Sequence, residues 1–324
     1  MAGKVGIKDV AQMAGVSAGT VTKVLKNYPG ISERTRQKVL AVVEETGYIP
    51  NTVASALSTK QNNRIGLYIY INDQYQQIDE INMLYILGAF DRARKENLEL
   101  VTVFHGSIEN LSNEDTVRYF RSIHAETLIV FGMNKNNEKI HYLMQEGHMQ
   151  MVIIDADLID EHVSTVMIDH RKAQYEIADR ICSPQDKVLY LCGKEDGYVS
   201  DMRLEGMRKL AEDKQLDLTV INGEFSESKA YEIVKGLTET YDVIVCANDL
   251  MAIGAKRALG DHTDVKLAGF DGIRLMEYVA DDVLTCRQDF YEIGGAAVEA
   301  AVHLRQGHKG EKVLLPYEIT YIHR

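Results

Sequence analysis

The residues with the clearest chemical potential lie between positions 17 and 27. Ser17, Thr20 and Thr22 carry hydroxyls, Lys23 is a cation, Asn27 is an amide, and Ala18 and Gly19 are small. At the start of a helix, such a set turns backbone amides, hydroxyls and one ammonium toward a single anionic surface. The phosphate backbone of a nucleic-acid duplex is a surface of that kind. Thr20 and Thr22 suit a phosphate or a thymine methyl, and Lys23 is the member of the set suited to a guanine edge. Lysine lacks the planar fork of arginine, so its discrimination between bases is loose. Ala18 and Gly19 reach few base edges, so no target sequence can be read from them. The ordinary alternative for Lys23 is a solvated surface lysine.

A helix must hold that set, and the flanking pattern supplies one. Apolar residues fall at Ile7, Val10, Ala11 and Ala14, then at Val21, Val24 and Leu25, then at Val39, Leu40, Val42 and Val43. These are helical intervals of three and four in three blocks. Between the first two blocks, Gly15 suits a left-handed helix end and Ser17 an N-cap. Two short helices joined by a glycine turn form a helix-turn-helix, whose second helix enters the major groove. Ser32 caps a third helix carrying Arg34, Arg36 and Lys38, which ends at Gly47. Tyr48-Ile49-Pro50 breaks the chain, and Asn51 caps a further short helix over 52–59. A plain three-helix bundle with no DNA role is the competing reading.

This stretch resembles the headpiece of the lactose-repressor/galactose-repressor family of bacterial transcription regulators. The matching residues are Ile7, Asp9, Val10, Ala11, Ala14, Gly15, Val16, Ser17, Thr20, Val21, Val24, Leu25, Asn27, Ile31, Thr35, Val39, Gly47, Tyr48, Pro50, Asn51, Ala54 and Leu57. The resemblance implies that Tyr48, Asn51, Ala54 and Leu57 belong to a hinge helix. Paired hinge helices would sit in the minor groove, with Leu57 wedged between base pairs. Unstacking a step costs on the order of a few kcal/mol, offset by the contacts that bent DNA permits. An isolated segment of this length is too short to be a stable helix, so it would fold against DNA. Relatives commonly carry Arg where this chain has Ser55, and Arg or His where it has Lys23. An incidental leucine in a linker is the alternative for Leu57.

Charge is distributed unevenly. Residues 1–64 hold nine Lys/Arg and four Asp/Glu, while the whole chain carries a net charge of −12. A basic head on an acidic body concentrates phosphate attraction in one place. At 324 residues the chain exceeds a single core. It contains no apolar run of about 18 residues, the length of a membrane span. The expected location is the bacterial cytoplasm, at the nucleoid, because no signal-peptide core precedes the helical blocks. Cys182, Cys192, Cys246 and Cys286 form no C-x-x-C pair and read as free buried thiols.

From Ile65 onward, apolar strand-like runs alternate with amphipathic segments. Strands are expected at 65–71, 98–104, 127–132, 150–155, 187–192, 217–221, 242–246 and 265–270. Helices are expected around 80–96, 112–123, 137–147, 170–182, 200–214, 227–238, 249–259 and 290–306. That rhythm implies parallel sheets covered by helices, in two doubly wound lobes with a cleft at the strand carboxyl ends. The fold class is therefore α/β, an all-α helix-turn-helix head followed by two parallel-sheet lobes. Residues 1–50 would form the DNA-binding domain, 51–64 the hinge helix and linker, and 65–324 the effector and dimerisation domain. The resemblance implies periplasmic-binding-protein-like lobes. The N-terminal lobe would be about 65–160 with 290–314, and the C-terminal lobe about 161–289 with 315–324.

The same resemblance marks candidate effector residues. Ser200–Gly206 is similar to an S-x-x-R-x-x-G segment whose arginine, here Arg203, bonds sugar hydroxyls. Asn248–Gly254 is similar to N-D-x-x-A-x-G, with Asp249 accepting from hydroxyls. Phe225 stands where some relatives stack an aromatic ring, and Gln288 where a crossover strand borders the cleft. An arginine and an aspartate together match the donors and acceptors of a vicinal diol, each unmatched hydroxyl costing about 1–3 kcal/mol. A surface ion pair and a helix cap are the ordinary readings of Arg203 and Asp249. Asp271, in Gly269-Phe270-Asp271, reads as a structural turn or cap. Asp169-His170 stands where relatives usually have Asp-Asn.

No P-loop, G-x-G-x-x-G, H-E-x-x-H or G-x-S-x-G motif is present, so no catalytic residue, cofactor or metal site is expected. The expectation is a homodimeric transcription regulator, a repressor. It would bind a palindromic double-stranded operator under the control of a sugar or sugar phosphate. The dimer is favoured because the sequence stops at 324 without the apolar heptad of tetrameric relatives. The alternative is a solute-binding protein without a gene-regulatory role, and an enzyme with a fused DNA-binding head is a third.

Overall fold

Three helices form early in the chain: α1 (Ile7–Ala14), α2 (Ala18–Leu25) and α3 (Glu33–Thr46). The computed structural model describes residues 5–25, 28–48, 63–70, 80–147, 149–260, 264–279 and 282–322. The α1 helix starts at Gly6, whose amide donates to Asp9 Oδ2 over 2.8 Å. It stops at Gly15, which takes the left-handed conformation at φ 66°. The Val16 amide then closes back on the Ala11 carbonyl at 2.9 Å. Val10, Ala11, Ala14, Val21, Val24 and Val39 meet in one small core. The expected hinge helix over 52–59 lies outside the described residues.

The chain divides into Met1–Asn62 and Asn63–Arg324. The second unit runs β1 (Arg64–Ile69), α4 (Glu80–Lys95), β2 (Glu99–Phe104), α5 (Asn113–Ser122), β3 (Thr127–Phe131), α6 (Glu138–Met144), β4 (Gln150–Ile154) and β5 (Val163–Met167). It continues through α7 (His170–Ile181), β6 (Lys187–Cys192), α8 (Tyr198–Lys214), β7 (Asp217–Asn222), α9 (Glu227–Lys235), β8 (Val243–Cys246) and α10 (Asp249–Leu259). The last elements are β9 (Lys266–Ala268), α11 (Met276–Val279), β10 (Val283–Gln288), α12 (Phe290–Arg305), β11 (Lys312–Leu314) and β12 (Tyr317–Ile322).

Two six-stranded sheets result. The first has the order β11-β5-β4-β3-β1-β2 and the second β12-β10-β9-β8-β6-β7. All pairs are parallel except β10 with β12. Strands β3, β5 and β8 are buried along their whole length, as helices on both faces require. The chain crosses between the sheets after β5, after β10 and after β11, always at the edge formed by β11 and β5 in one sheet and β12 and β10 in the other.

The expected boundary near 160 is corrected. Val163–Met167 pairs with β4 in the first sheet, with Val152 opposite Ser164. Two hydroxyls make this strand hard to recognise as buried. Thr165 Oγ1 donates to the Ile153 and Ala156 carbonyls at 3.1 and 2.6 Å. Ser164 Oγ accepts from the Glu311 amide at 3.1 Å. Satisfied in this way, the hydroxyls carry little desolvation cost.

Candidate functional site

On α2 the Ser17 hydroxyl accepts the Thr20 amide at 3.1 Å and lies 2.9 Å from the Thr20 hydroxyl. Ser17 is therefore the N-cap, and the Ala18 and Gly19 amides fall in the first turn, where a helix supplies no acceptor. Thr22 Oγ1 bonds back to the Ala18 carbonyl at 3.0 Å, which ties its proton to the helix. Ser17, Gly19 and Lys23 are exposed, Ala18, Thr20 and Thr22 half-buried, and Val21 and Val24 fill the core behind them. Tyr48 is half-buried against that same core. Arg34 and Lys38 on α3 are exposed. Asn27, Asn51, Ala54 and Leu57 lie outside the described residues.

The second constellation lies at the carboxyl ends of the strands. Arg203, on the first turns of α8, is buried. Its Nη2 donates to Asp271 Oδ1 at 3.0 Å, its Nη1 to the Ala247 carbonyl and its Nε to His170 Nδ1 at 3.4 Å. The guanidinium carbon lies 3.7 Å from the centre of the Phe270 ring. The reading of Arg203 as a surface ion pair is thereby excluded. The helix holding it can approach α7 because position 206 is glycine. A Cβ there would stand 2.2 Å from the Arg171 carbonyl oxygen.

The network continues on both sides of Arg203. Gln288 Nε2 donates to Asp271 Oδ1 at 3.0 Å, and Gln288 Oε1 is buried without a partner among the described residues. His170 Nε2 lies 2.9 Å from Asp155 Oδ1, and Asp155 Oδ2 accepts from the Tyr85 hydroxyl at 2.7 Å. Tyr85 and Asp155 belong to the first sheet's lobe, and His170, Arg203, Asp271 and Gln288 to the second. A cavity of about 280 Å³ opens beside Gln288, with Glu80, Leu84, Ile273, Arg274 and Phe290 in its walls.

Asp249 occupies a different position from the one its motif suggests. Asn248 is the N-cap of α10, its side chain accepting the Met251 amide at 2.9 Å. Asp249 is fully buried. Its Oδ2 accepts from the Gly272 and Ile273 amides at 2.7 and 2.9 Å, and its Oδ1 from the Thr285 hydroxyl at 2.7 Å. Its carboxylate thus pins the loop that carries Asp271. Phe225 follows Glu224 in a turn where both residues have positive φ, 56° and 60°. Its ring lies against Gly193, where a Cβ would be 2.1 Å from Cζ. Asp155 and Asp271 also have positive φ, 60° and 116°. Such conformations cost on the order of 1–3 kcal/mol each and concentrate at functional sites.

Burial sets the electrostatics. It raises the Asp249 pKa to about 8, helped by the Asp271 charge and partly offset by the Thr285, Ile273 and Gly272 donors. It raises Asp271 to about 6 against the lowering effect of Arg203. Burial would raise Asp155 too, but His170, Tyr85 and Arg203 outweigh it and the net direction is down. Burial lowers His170, with Asp155 opposing. The downward directions at Asp155 and His170 cannot both rest on a charged imidazole. Arg203 Nε donates to Nδ1, which makes Nδ1 an acceptor and the ring neutral, with its proton on Nε2 facing Asp155. Asp155 is then ionised through the Tyr85 hydroxyl, that N–H and the field of Arg203.

The motifs mark Arg203 and Gln288 as effector residues, leave Asp155 unmarked and suggest a structural role for Asp271, and Tyr85 is one of four tyrosines, with Tyr68, Tyr70 and Tyr75, among which the sequence does not choose. The available signals were the Gly269-Phe270-Asp271 motif, the aspartate directly after β4, and the histidine in Asp169-His170.

The bacterial regulatory protein lacI family model matches residues 6–51, and a periplasmic binding protein domain model matches residues 136–309. Catabolite control protein A of Staphylococcus epidermidis is 26% identical, covering 98% of each chain. The HTH-type transcriptional regulator AscG of Escherichia coli K12 is 26% identical over 83% of each. The lac repressor dimer bound to operator and the anti-inducer ONPF has a TM-score of 0.82 at 22% identity, covering 98% of each chain, which is a likeness of fold. The transcriptional regulator CelR–cellobiose complex has a TM-score of 0.68 at 20% identity, also covering 98% of each. These relatives are named as regulators, not enzymes. No helix among the described residues is long and apolar enough to cross a membrane. With its capped helix-turn-helix and its paired parallel-sheet lobes, the chain belongs to the lacI family of bacterial regulatory proteins and is a DNA-binding transcriptional regulator.

Proposed function

We propose that the protein is a repressor that binds a near-palindromic operator as a homodimer and answers to a hydroxyl-rich small molecule held between its lobes. The observation that carries the effector reading is the buried constellation around Arg203. Asp155 and Asp271 supply acceptors from the two lobes, Arg203 supplies donors between them, and Gln288 Oε1 adds an acceptor without a partner among the described residues. Buried polar groups arranged in this way fit a polyol, which exchanges hydroxyls for the internal bonds. A ligand that binds one arrangement of the lobes better than another shifts operator affinity by the same free energy, and DNA shifts the ligand in return.

A second observation favours the dimer. Met83, Leu87 and Phe90 recur at helical spacing on the outer face of α4 and are 56%, 50% and 44% exposed. Leu275 and Tyr278 add further exposed apolar surface. A stripe of this kind on a water-exposed helix marks an interaction surface. Two heads carried by a twofold dimer read a palindrome. In the head, Ser17 with the Ala18 and Gly19 amides would meet a phosphate, and Thr20, Thr22 and Lys23 would face base edges.

The test is anisotropy titration of a selected operator duplex against a scrambled one at several salt concentrations. Operator affinity should fall steeply with salt, and Lys23→Ala should weaken it. If Lys23 meets a phosphate, the salt slope drops by about one; if it reads a guanine, about 1–3 kcal/mol of preference is lost instead. Equal affinity for both duplexes at moderate ionic strength would sink the reading. A thermal-shift screen over sugars and sugar phosphates would identify the ligand class, since occupancy raises stability.

A further inference from the structure

The sheet order separates two kinds of contact between the lobes. The chain crossings all lie at the β5 and β11 edge, and Asp155, directly after β4, meets His170 beside them. The segments after β3 and β6 lie further from that edge, yet they also touch. Asn134 and Gly197 form an isolated antiparallel bridge. The Lys135 amide donates to the Asp196 carbonyl at 2.9 Å. Lys135 Nζ donates to the Glu195 carbonyl at 3.0 Å and pairs with Asp201 Oδ2 at 2.5 Å. Asn136 Nδ2 reaches Asp196 Oδ2 at 3.4 Å, and the Tyr198 hydroxyl lies 3.3 Å from His141 Nε2. Tyr198, though it begins a helix of the second lobe, packs against the apolar cluster of the first.

We propose that 133–137 and 194–201 form a clasp across the mouth of the interlobe cleft, with Lys135 as its pin, and that this clasp must open before an effector reaches Arg203. The proposal rests on the cleft being the effector site. The clasp is built from the chain's own groups. Main-chain pairing fixes its register, and the lysine joins it to both the loop carbonyl and the first turn of α8. Arg203 stands one helical turn behind Ser200, on the same helix as Asp201. Ser200 itself is buried, with Oγ 2.8 Å from where a Cβ on Gly197 would stand. Each side-chain contact is partly exposed and weak alone. Together they form a local opening unit that can part while both sheets stay intact. Opening the lips therefore sets the rate of ligand entry, and a variant with a weakened clasp admits ligand faster.

The experiment uses the full-length protein carrying Ser200→Cys, labelled with a small aromatic disulfide reagent, against a wild-type control for the natural cysteines. The introduced thiol should react slowly in an otherwise wild-type background. It should react about tenfold faster when Lys135→Ala is added, and at an unchanged rate with Lys135→Arg, which keeps both partners. Hydrogen exchange on proteins with serine at 200 gives an independent reading. Peptides over 133–137 and 194–201 should be protected in the wild type and lose protection together in Lys135→Ala, while β3 and β6 peptides stay unchanged. Full-speed labelling in the otherwise wild-type background, or Lys135→Ala leaving both labelling and exchange unaltered, overturns the clasp. Operator affinity, measured on the same samples, reports separately on the proposed function, so either idea can fail alone.

Discussion

Asp249 is held by three donors and is still pushed toward protonation by burial beside Asp271. The sign of its pH effect follows. With a folded pKa of about 8 and an unfolded value near that of a free aspartate, the native state binds more protons across the interval between them. Stability contributed by this group is therefore lost as pH rises from about 4 through about 8. In Asp249→Asn the amide oxygen can still accept the two loop amides, and its nitrogen can donate to Thr285. The variant's Tm should gain on the wild type as pH rises from 5 to 9 in thermal melts. A constant difference would mean that the donors keep Asp249 ionised throughout. Asp271 acts in the same direction over a narrower range, ending near its value of about 6.

At the scale of elements, the site depends on helices packed at backbone distance. The α7 and α8 helices carry His170 and Arg203, and they meet where Gly206 faces the Arg171 carbonyl. Gly206→Ala is expected to destabilise the second unit by about 1–3 kcal/mol, because a methyl must push backbone rather than a side-chain tip. Chemical denaturation measures the loss, and the midpoint should fall without a change in slope. The same shift moves Arg203 away from Asp271. Ligand response should then suffer more than DNA binding, which rests on a separate unit. On the head, Gly15 and Ser17, within three residues of each other, set the end of α1 and the start of α2 by local chemistry, and Val21 and Val24 then seat α2 in the shared core.

At the scale of the whole molecule, the proposed operator reading requires two copies. Replacing Leu87 with Glu, at the centre of the exposed α4 stripe, puts a charge where a partner would bury apolar surface. Sedimentation should show a shift from dimer to monomer, and operator affinity should fall by at least tenfold while the melting of the isolated fold is little changed. A dimer that survives Leu87→Glu and Phe90→Glu together would place the contact elsewhere. The acidic body and basic head give the molecule opposite fields at its two units, so salt should weaken DNA binding without weakening ligand binding.

The head was legible in the sequence because everything that defines it is local. Helical spacing, the glycine stop at 15, the serine caps at 17 and 32 and the cationic residues all act within a few positions of one another. The α/β rhythm was legible for the same reason, since buried parallel strands are short apolar runs. Tertiary structure alone decided where Val163–Met167 belongs, because the partners of its two hydroxyls, Ile153, Ala156 and Glu311, lie on other segments. It also decided what the site residues do. Arg203 was recognisable by type, but its partners Asp271 and His170 come from segments 68 and 33 residues away. Asp249 carries a ligand-like motif, yet it spends its acceptors on a neighbouring loop. A carboxylate's role is fixed by which donors reach it, and the donors of Asp249, in the segment after β9 and on β10, stand beside the start of α10 only once the second sheet has formed.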